Sequence, residues 1–303
     1  MGTTGFHEGE LATQRRAGVE ADAKRLRKML DSPHFSGGAA KFLALQRFTA
    51  ITGRDRDGVL WISPLVAPAG FLQAEDQLLR VSAVPRVGDP LHRMPVGQQV
   101  GLIAVDFDAR RRLRINGTLV DGDDAGLTVH VDQAYGNCPQ YIHRRDPNVS
   151  VLAATPSIDA RHGSHLEPTD HAMIAASDTL FLGTTHPIRG SDASHRGGPA
   201  GFVRVNSPER LWWPDYPGNN MFNSFGNLAV DDEAALLFID FTTGATLHIS
   251  GTARVQWTPP SVPGDDGGVG RRVALSIDAL VGLGPSHTGD GEFGPTSARS
   301  GGR

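Results

Sequence analysis

At 303 residues the chain has the length of roughly two domains of about 100–150 residues each. A net charge of −4 gives no global pull toward nucleic acid or a membrane surface, and no apolar run approaches the roughly 20 residues that span a bilayer. The single cysteine, Cys138, excludes an internal disulfide. The opening MGTTGFHEGELATQRR lacks the apolar core of a secretion signal, and Phe6 stands where a myristoylation signal needs Ser or Thr. A cytoplasmic protein is the expectation, in which the sequons at Asn116–Thr118 and Asn148–Ser150 carry no weight.

Residues 8–31 read as a helix, with Leu11, Ala17, Ala21, Leu26 and Leu30 spread among charges, an arm lying on the surface of a larger body. A short helix follows over Ala39–Gln46. Strand signals at Phe48–Gly53 and Val59–Val66 flank Asp55–Gly58, whose Asp-Gly is a hairpin turn signal. Further strands fit Gln77–Ala83, Val100–Phe107, Arg112–Val120 and Leu127–Asp132. The stretch Pro147–Arg161 reads as a linker, and a helix over Asp170–Ala176 opens the second half. Strands then fit Thr179–Thr184, Gly201–Val205, Arg210–Trp213, Ala234–Phe241, Thr246–Trp257 and Arg272–Val281, with a loop over residues 258–271. The Gly/Ser-rich tail is expected to be disordered. Each half is strand-dominated with a short helix, which points to a small antiparallel barrel.

The halves repeat each other. GLIAVDFDARRRLRINGTL at 101–119 and ALLFIDFTTGATLHISGTA at 235–253 align without a gap at an offset of 134. PAGF occurs at Pro68–Phe71 and again at Pro199–Phe202, an offset of 131. Two echoes in the same order mark a duplicated domain, and two copies in one chain can build the interface that a homodimer builds from two. Cofactors often sit between such halves.

Three segments carry chemistry-bearing residues. In Gly190–Trp213, Ser194, His195 and Arg196 precede two glycines. A hydroxyl, an imidazole and a guanidinium suit a phosphate or carboxylate, while the plainer reading is a polar hairpin loop in which Arg196 pairs with Asp192. The two readings stand level. In Pro214–Leu228, Asn219, Asn220, Asn223 and Asn227 surround a turn leading into a short helix; anion contacts are one reading, and turn and cap roles are slightly favoured. In Gln133–Arg145, Cys138 has no matched His and acid, so a structural thiol is favoured over a nucleophile. Alternation puts Arg112 and Arg114, within the run Arg110–Arg114, on one strand face; it reads as a solvated face with no role. The histidines have no HExxH-type spacing, so no metal site is assigned, and neither a Walker loop nor a Rossmann glycine fingerprint occurs.

Taken together, GSDASHRGGPAGFVRV, PDYPGNNMFNSFGNL, LLFIDFTTGATLHISGTA and YGNCPQYIHRR resemble the pyridoxamine 5′-phosphate oxidase-like flavoproteins. The opening FHEGELATQRRAG and the two-copy layout are similar to a long bacterial branch of that superfamily. The resemblance covers most of residues 5–282 and implies a mainly β fold with short helices: two tandem split β-barrels forming an intrachain pseudo-dimer behind an N-terminal helical arm. The expected division is an arm over 1–36, a first split barrel over 37–150, a linker over 151–165, a second barrel with the main cofactor motifs over 166–282, and a tail over 283–303.

Split barrels of this family pair, with FMN in the groove between them, so the resemblance implies a cofactor site between the two halves of one chain. It places Trp213, Pro214 and Asp215 along the flavin, and Asn219, Asn220 and Asn223 where the family has Ser-Arg-Lys contacts to the phosphate. Amides in place of cations leave a near-dianion uncompensated unless Arg196 or another cation supplies charge. The first half has RVGDPLHRM where the second has YPGNNMFNS, and it lacks SHRGG. It is expected to lose its own phosphate site and to wall the surviving pocket through Asn137 and Tyr141. The implied activity is an FMN-dependent oxidoreductase passing hydride through the flavin N5. It would act on a small-molecule substrate with a separate electron donor or acceptor, with no nucleic acid or membrane partner and with pairing of two chains left open. No residue stands out as a general acid or base. Alternatives on the same fold are a non-catalytic flavin carrier, or a haem or deazaflavin protein, for which His195 is the nominated haem ligand.

Overall fold

The computed structural model describes residues 5–30, 34–35, 37–154, 160–260 and 266–285, and only the backbone of Asn137. The N-terminal segment folds as α1 (Glu8–Ala17), α2 (Glu20–Leu26) and a 3-10 turn (Arg27–Leu30), not as one helix over 8–31. Gly18 is the reason: it adopts a left-handed φ of +71° and returns its N–H to the Arg15 carbonyl, which ends α1. Then come α3 (Gly37–Ala44) and β1 (Phe48–Arg54), β2 (Leu60–Val66), β3 (Leu72–Glu75), β4 (Leu78–Val81), β5 (Gln99–Asp106), β6 (Arg111–Gly122) and β7 (Leu127–Asn137). The second half holds α4 (Val149–Ala153), β8 (Arg161–Gly163), α5 (Pro168–Ala176), β9 (Thr179–His186), β10 (Gly190–Gly197), β11 (Arg204–Ser207), β12 (Arg210–Pro214), α6 (Asn223–Leu228), β13 (Glu233–Ile239), β14 (Thr246–Trp257) and β15 (Arg271–Leu283).

The protein is mainly β, and its two antiparallel sheets have the same topology. One runs β2-β1-β5-β6-β7-β4-β3 and the other β10-β9-β13-β14-β15-β12-β11, with β8 pairing β15 outside that path. Register repeats with topology: Ile51 faces Ser63 in the first sheet as Leu182 faces Ser194 in the second. The segment holding Ser194–Arg196 is therefore a strand, β10, and not a hairpin loop. Every residue from Gly190 to His195 is buried, which hides the polar strand from a hydropathy reading. The last strand reaches Leu283, two residues beyond Val281 and past the start of the expected tail; residues 286–303 of that tail, 155–159 of the expected linker and 1–4 of the arm lie outside the described residues.

Each sheet curls over its own apolar core, around Leu102, Ile115 and Val129 in the first half and Leu236, Ile249 and Trp213 in the second. A third core joins them. Phe48, Ile62, Ile103 and Phe107 of the first sheet meet Phe181, Ala193, Leu237 and Ile239 of the second. Phe48 packs on Phe107 and Phe181 at 5.7 and 5.2 Å between ring centroids. The approach is close enough that a Cβ at Gly101 of β5 would stand 2.6 Å from the Asp192 backbone of β10. The polar cleft that follows opens where this dry seam ends.

The arm is not a surface appendage. It is fixed between halves by polar groups that are themselves buried. Gly9 of α1 and Gly226 of α6 cross so closely that a Cβ on either would run into the other helix. Glu10, 3% exposed, accepts the His7 N–H at 2.8 Å and the Asn223 side-chain amide at 2.5 Å. Gln14 donates to the Met221 carbonyl at 3.1 Å.

Candidate functional site

At the end of the seam β6 crosses β10, and the alternation of β6 turns Arg112 and Arg114 toward it. These arginines are not a solvated face. Arg114, 6% exposed, donates to both carboxylate oxygens of Asp192 at 2.9 and 2.7 Å and to Ser194 Oγ at 2.6 Å. Ser224 Oγ donates to the same carboxylate at 3.1 Å. Arg112 Nη1 donates to His195 Nδ1 at 3.0 Å and to the His195 carbonyl at 3.1 Å. From β15, Arg271 Nε donates to Asp215 Oδ2 at 2.9 Å, and Arg196 approaches Asp215 Oδ1 at 3.7 Å. Asp192 thus belongs to Arg114, and Arg196 looks to Asp215.

Arg112, Arg114, Arg196 and Arg271, with Ser194, His195 and Asp215, line one cleft between the halves. Four guanidinium groups meet two carboxylates, Asp192 and Asp215, which leaves positive charge uncompensated. Arg112 carries the consequence: burial, then the like charges of Arg114 and Arg196, push its guanidinium down to about 9. Burial also lowers Arg196. Arg112 Nε and Arg196 Nε are buried donors without a hydrogen-bond partner. Buried unpaired N–H groups beside surplus positive charge are donors suited to an anion.

His195 is fixed by its neighbours. A guanidinium only donates, so Nδ1 accepts from Arg112 and the proton of the neutral ring sits on Nε2. Burial and the surrounding arginines hold its pKa well below the usual value. Nε2–H is buried without a partner, among the Phe107 and Phe181 rings.

The cleft mouth is closed by Tyr141 and Tyr216, one from each half, stacked at 5.1 Å between centroids. Tyr141 adopts a left-handed φ of +64°, and its carbonyl lies so near Gly197 that a Cβ there would collide with it. The cavity is about 90 Å³. That is below the roughly 300–1,000 Å³ of sites that engulf a small organic ligand. It is room for an anionic head group. A second groove of about 620 Å³ shares Arg112, Cys138 and Asn219 with the cleft and is otherwise largely apolar, with Leu26, Met29, Phe42 and Met221 among its walls. The two adjoin at these shared residues.

Eight of the residues singled out from sequence come together here: Ser194, His195, Arg196, Asp215, Asn219, Asn220, Asn223 and Tyr141 all line the cleft. Two are already committed, Asn219 Oδ1 to the Met221 N–H at 3.2 Å and the Asn223 amide to Glu10. Trp213 does not line it; the indole is 1% exposed in the core of the second sheet, because alternation along β12 turns it inward. The Asn137 side chain lies outside the described residues. Sequence reasoning missed Arg112, Arg114 and Arg271. The usable signal was two arginines at i and i+2 where the repeat has Thr246 and His248.

His7, Glu8 and His186 also cluster, with their ligand atoms within 4.8 Å of one another. Their hydrogen bonds argue against a metal. His7 Nδ1 accepts from the Gly9 N–H at 3.2 Å, and His186 Nδ1 from those of Ile188 and Arg189 at 3.0 and 3.1 Å. Each neutral ring therefore carries its proton on Nε2, facing Asn227 Oδ1 at 3.1 Å and Glu8 Oε1 at 3.2 Å, with no lone pair for a cation.

A mainly β chain with two split-barrel-type sheets and a basic cleft at their seam defines the class of protein. Residues 166–264 match the family described as pyridoxamine 5′-phosphate oxidase. No curated protein matches. Among solved structures the chain is similar to a putative pyridoxamine 5′-phosphate oxidase from Lactobacillus delbrueckii, with 14% identity, 39% of this chain and 94% of that one covered, and a TM-score of 0.33. It is similar to HupZ of Group A Streptococcus at 10% identity, covering 40% of this chain and 99% of that one with a TM-score of 0.32. For HutZ, the haem storage protein of Vibrio cholerae, the figures are 14%, 40%, 97% and 0.29. Among the described residues no helix is long and apolar enough to cross a membrane.

Proposed function

We propose that the chain binds one phosphate-bearing cofactor of the flavin class, FMN, at the seam between residues 37–150 and 166–282 taken as two barrels, and that it acts as an FMN-dependent oxidoreductase on a small molecule. The observation that carries this is the surplus of buried guanidinium: Arg112 and Arg196 keep unpaired N–H groups in a cleft whose charge is not balanced. A phosphate is close to a dianion and matches it. When bound, FMN supplies hydride exchange at its N5. Arg112 and Arg196 hold the phosphate, Asp215 and Arg271 brace Arg196, and Tyr141 and Tyr216 exclude water at the mouth. His195 is not poised to move a proton: it stays neutral with its Nε2–H turned into an aromatic wall. This suits chemistry that resides in the cofactor.

The haem alternative loses its nominee. Iron ligation needs an imidazole nitrogen with a lone pair, and the only such nitrogen of His195 already accepts from Arg112. A deazaflavin shares the anionic tail and the ring, so the cleft does not separate it from FMN.

Denaturing the purified protein and identifying the released molecule by mass tests the reading. FMN in about one equivalent is expected; haem, or no released cofactor and no uptake of added FMN, overturns it. Bleaching by NADH or NADPH and reoxidation in air separates an enzyme from a flavin carrier.

A further inference from the structure

The duplication supplies a counterpart to the cleft. Offsets of 134 and 131 residues place Thr246 and His248 of β14 opposite Arg112 and Arg114, and Ser63 of β2 opposite Ser194. The loop RVGDPLHRM stands for YPGNNMFNS at an offset of 130, so Asp89 matches Asn219 and Leu91 matches Met221. The match is physical. Asp89 Oδ1 accepts the Leu91 N–H at 2.9 Å as Asn219 Oδ1 accepts that of Met221 at 3.2 Å, and Leu91 and Met221 are both fully buried. Both loops make the same Asx turn.

They differ in what the turn side chain reaches. Asn219 lines an open cleft, and Ser194 Oγ is taken by Arg114. Asp89 instead closes onto its strand, accepting from Ser63 Oγ at 2.5 Å. Its other oxygen, Oδ2, has no hydrogen-bond partner, is fully buried and faces His248 Nε2 at 3.6 Å. Arg86 lies nearby, holding the Gly244 carbonyl and Thr246 Oγ1 at 3.0 Å; burial lowers its guanidinium, and the Asp89 charge opposes that. A carboxylate held by a hydroxyl and a backbone N–H, with a guanidinium nearby and one idle oxygen beside the His248 ring, whose Nδ1 donates to the Ile62 carbonyl, is placed as a bound anion would be.

We infer that the counterpart groove is a second site for a carboxylate-sized oxyanion, and that the chain's own Asp89 carboxylate occupies it. The two grooves are one device in two states, one open to a free ligand and one closed by a tethered one. This depends on the duplication and the Asp89 contacts, not on FMN in the first cleft.

Chemical rescue tests it. Asp89→Ala removes the carboxylate and leaves space for a free one, while Asp89→Asn keeps the turn and fills that space with an amide. Thermal unfolding of the full chain is followed against sodium formate, with sodium chloride matching ionic strength. For D89A the melting midpoint is expected to fall, and formate to restore several degrees of it, where chloride does not. Wild type and D89N should not respond. A D89A chain that responds to formate no more than D89N does, or that stays unfolded at every formate concentration, overturns the inference. Loss of FMN binding elsewhere leaves this readout unchanged, so the two proposals fail separately.

Discussion

Arg112 is the residue on which the chemistry of the cleft turns. Its guanidinium is desolvated, repelled by Arg114 and Arg196, and hydrogen-bonded to the neutral ring and the carbonyl of His195, with no carboxylate. A group in that position weakens the empty protein and strengthens the loaded one. Arg112→Ala should lower affinity for the anionic cofactor by about 10–100-fold, the worth of one charge-assisted hydrogen bond of about 1.5–3 kcal/mol. The cofactor-free variant should melt no lower than the cofactor-free wild type. Equilibrium dialysis and paired melts check both, and an R112A protein that keeps its cofactor would remove the residue from the site. Arg196→Ala should also lose cofactor with the fold intact, and in addition leave Asp215 to Arg271 alone. At this scale the sequence was half legible. Ser194, His195 and Arg196 stood out because they sit beside glycines, whereas Arg112 and Arg114 looked like an exposed basic run. Burial of a charge depends on which strand crosses it, and β10 comes about 80 residues later in the chain. Trp213 erred the other way: a one-residue change of face along β12 moves an indole from a cleft to a core.

Among elements, the contact of α1 with α6 ties the arm to the wall of the cleft. Helices can cross that closely only where both carry glycine. Gly226→Ala should undock the arm, read as new proteolytic cleavage within residues 8–30, with the rest of the fold protected. Its polar half has a pH signature. Burial, then the nearby His186, depresses His7 from 6.5 to about 4, and burial raises Glu10 from 4.5 to about 7. His7 binds fewer protons folded than unfolded, so its contribution is lost as pH falls from 6.5 toward 4. Glu10 binds more protons folded, so its contribution is present below 4.5 and lost as pH rises toward 7. The displacements are similar and opposed, so these two groups together should add little slope over this window. Glu10→Gln, which keeps the capping geometry, should make stability rise with pH between 4 and 6.5. His7→Asn, which keeps a cap acceptor, should make it fall between 4.5 and 7. Each slope should total on the order of 3 kcal/mol at 1.36 kcal/mol per pH unit. Denaturant titrations across pH read these slopes as differences from the wild type, and variants whose profiles match the wild type would contradict the balance. The helix itself was legible from its apolar spacing. Its buried polar face was not, because it answers to α6 and β9, far along the chain, whereas the break at Gly18 is a local cap.

For the whole molecule, the aromatic seam decides whether the two halves are separable. Phe48 and Phe107 from one sheet and Phe181 from the other form a single apolar cluster, and Ile142 and Leu152 of the crossing segment close it. The duplication at offsets of 131 and 134 announced two alike halves, and the matching strand orders bear that out. It could not announce the seam, because residues such as Ile62, Ala193 and Leu237 look like ordinary strand interior in either half. A core shared in this way makes neither sheet stable alone: removing one half would expose the Phe48–Phe181 face of the other. Unfolding should therefore be one cooperative transition, with calorimetric and van't Hoff enthalpies equal for the full chain. Phe181→Ala should cost about 3–5 kcal/mol, the usual penalty for an aromatic removed from a packed core. It should shift that one transition downward without splitting it, and it should loosen the cleft, since Phe181 backs the His195 ring. Two separate transitions, in the wild type or in F181A, would mean that each half is held by its own core alone, and that the cleft between them is a meeting of independent bodies.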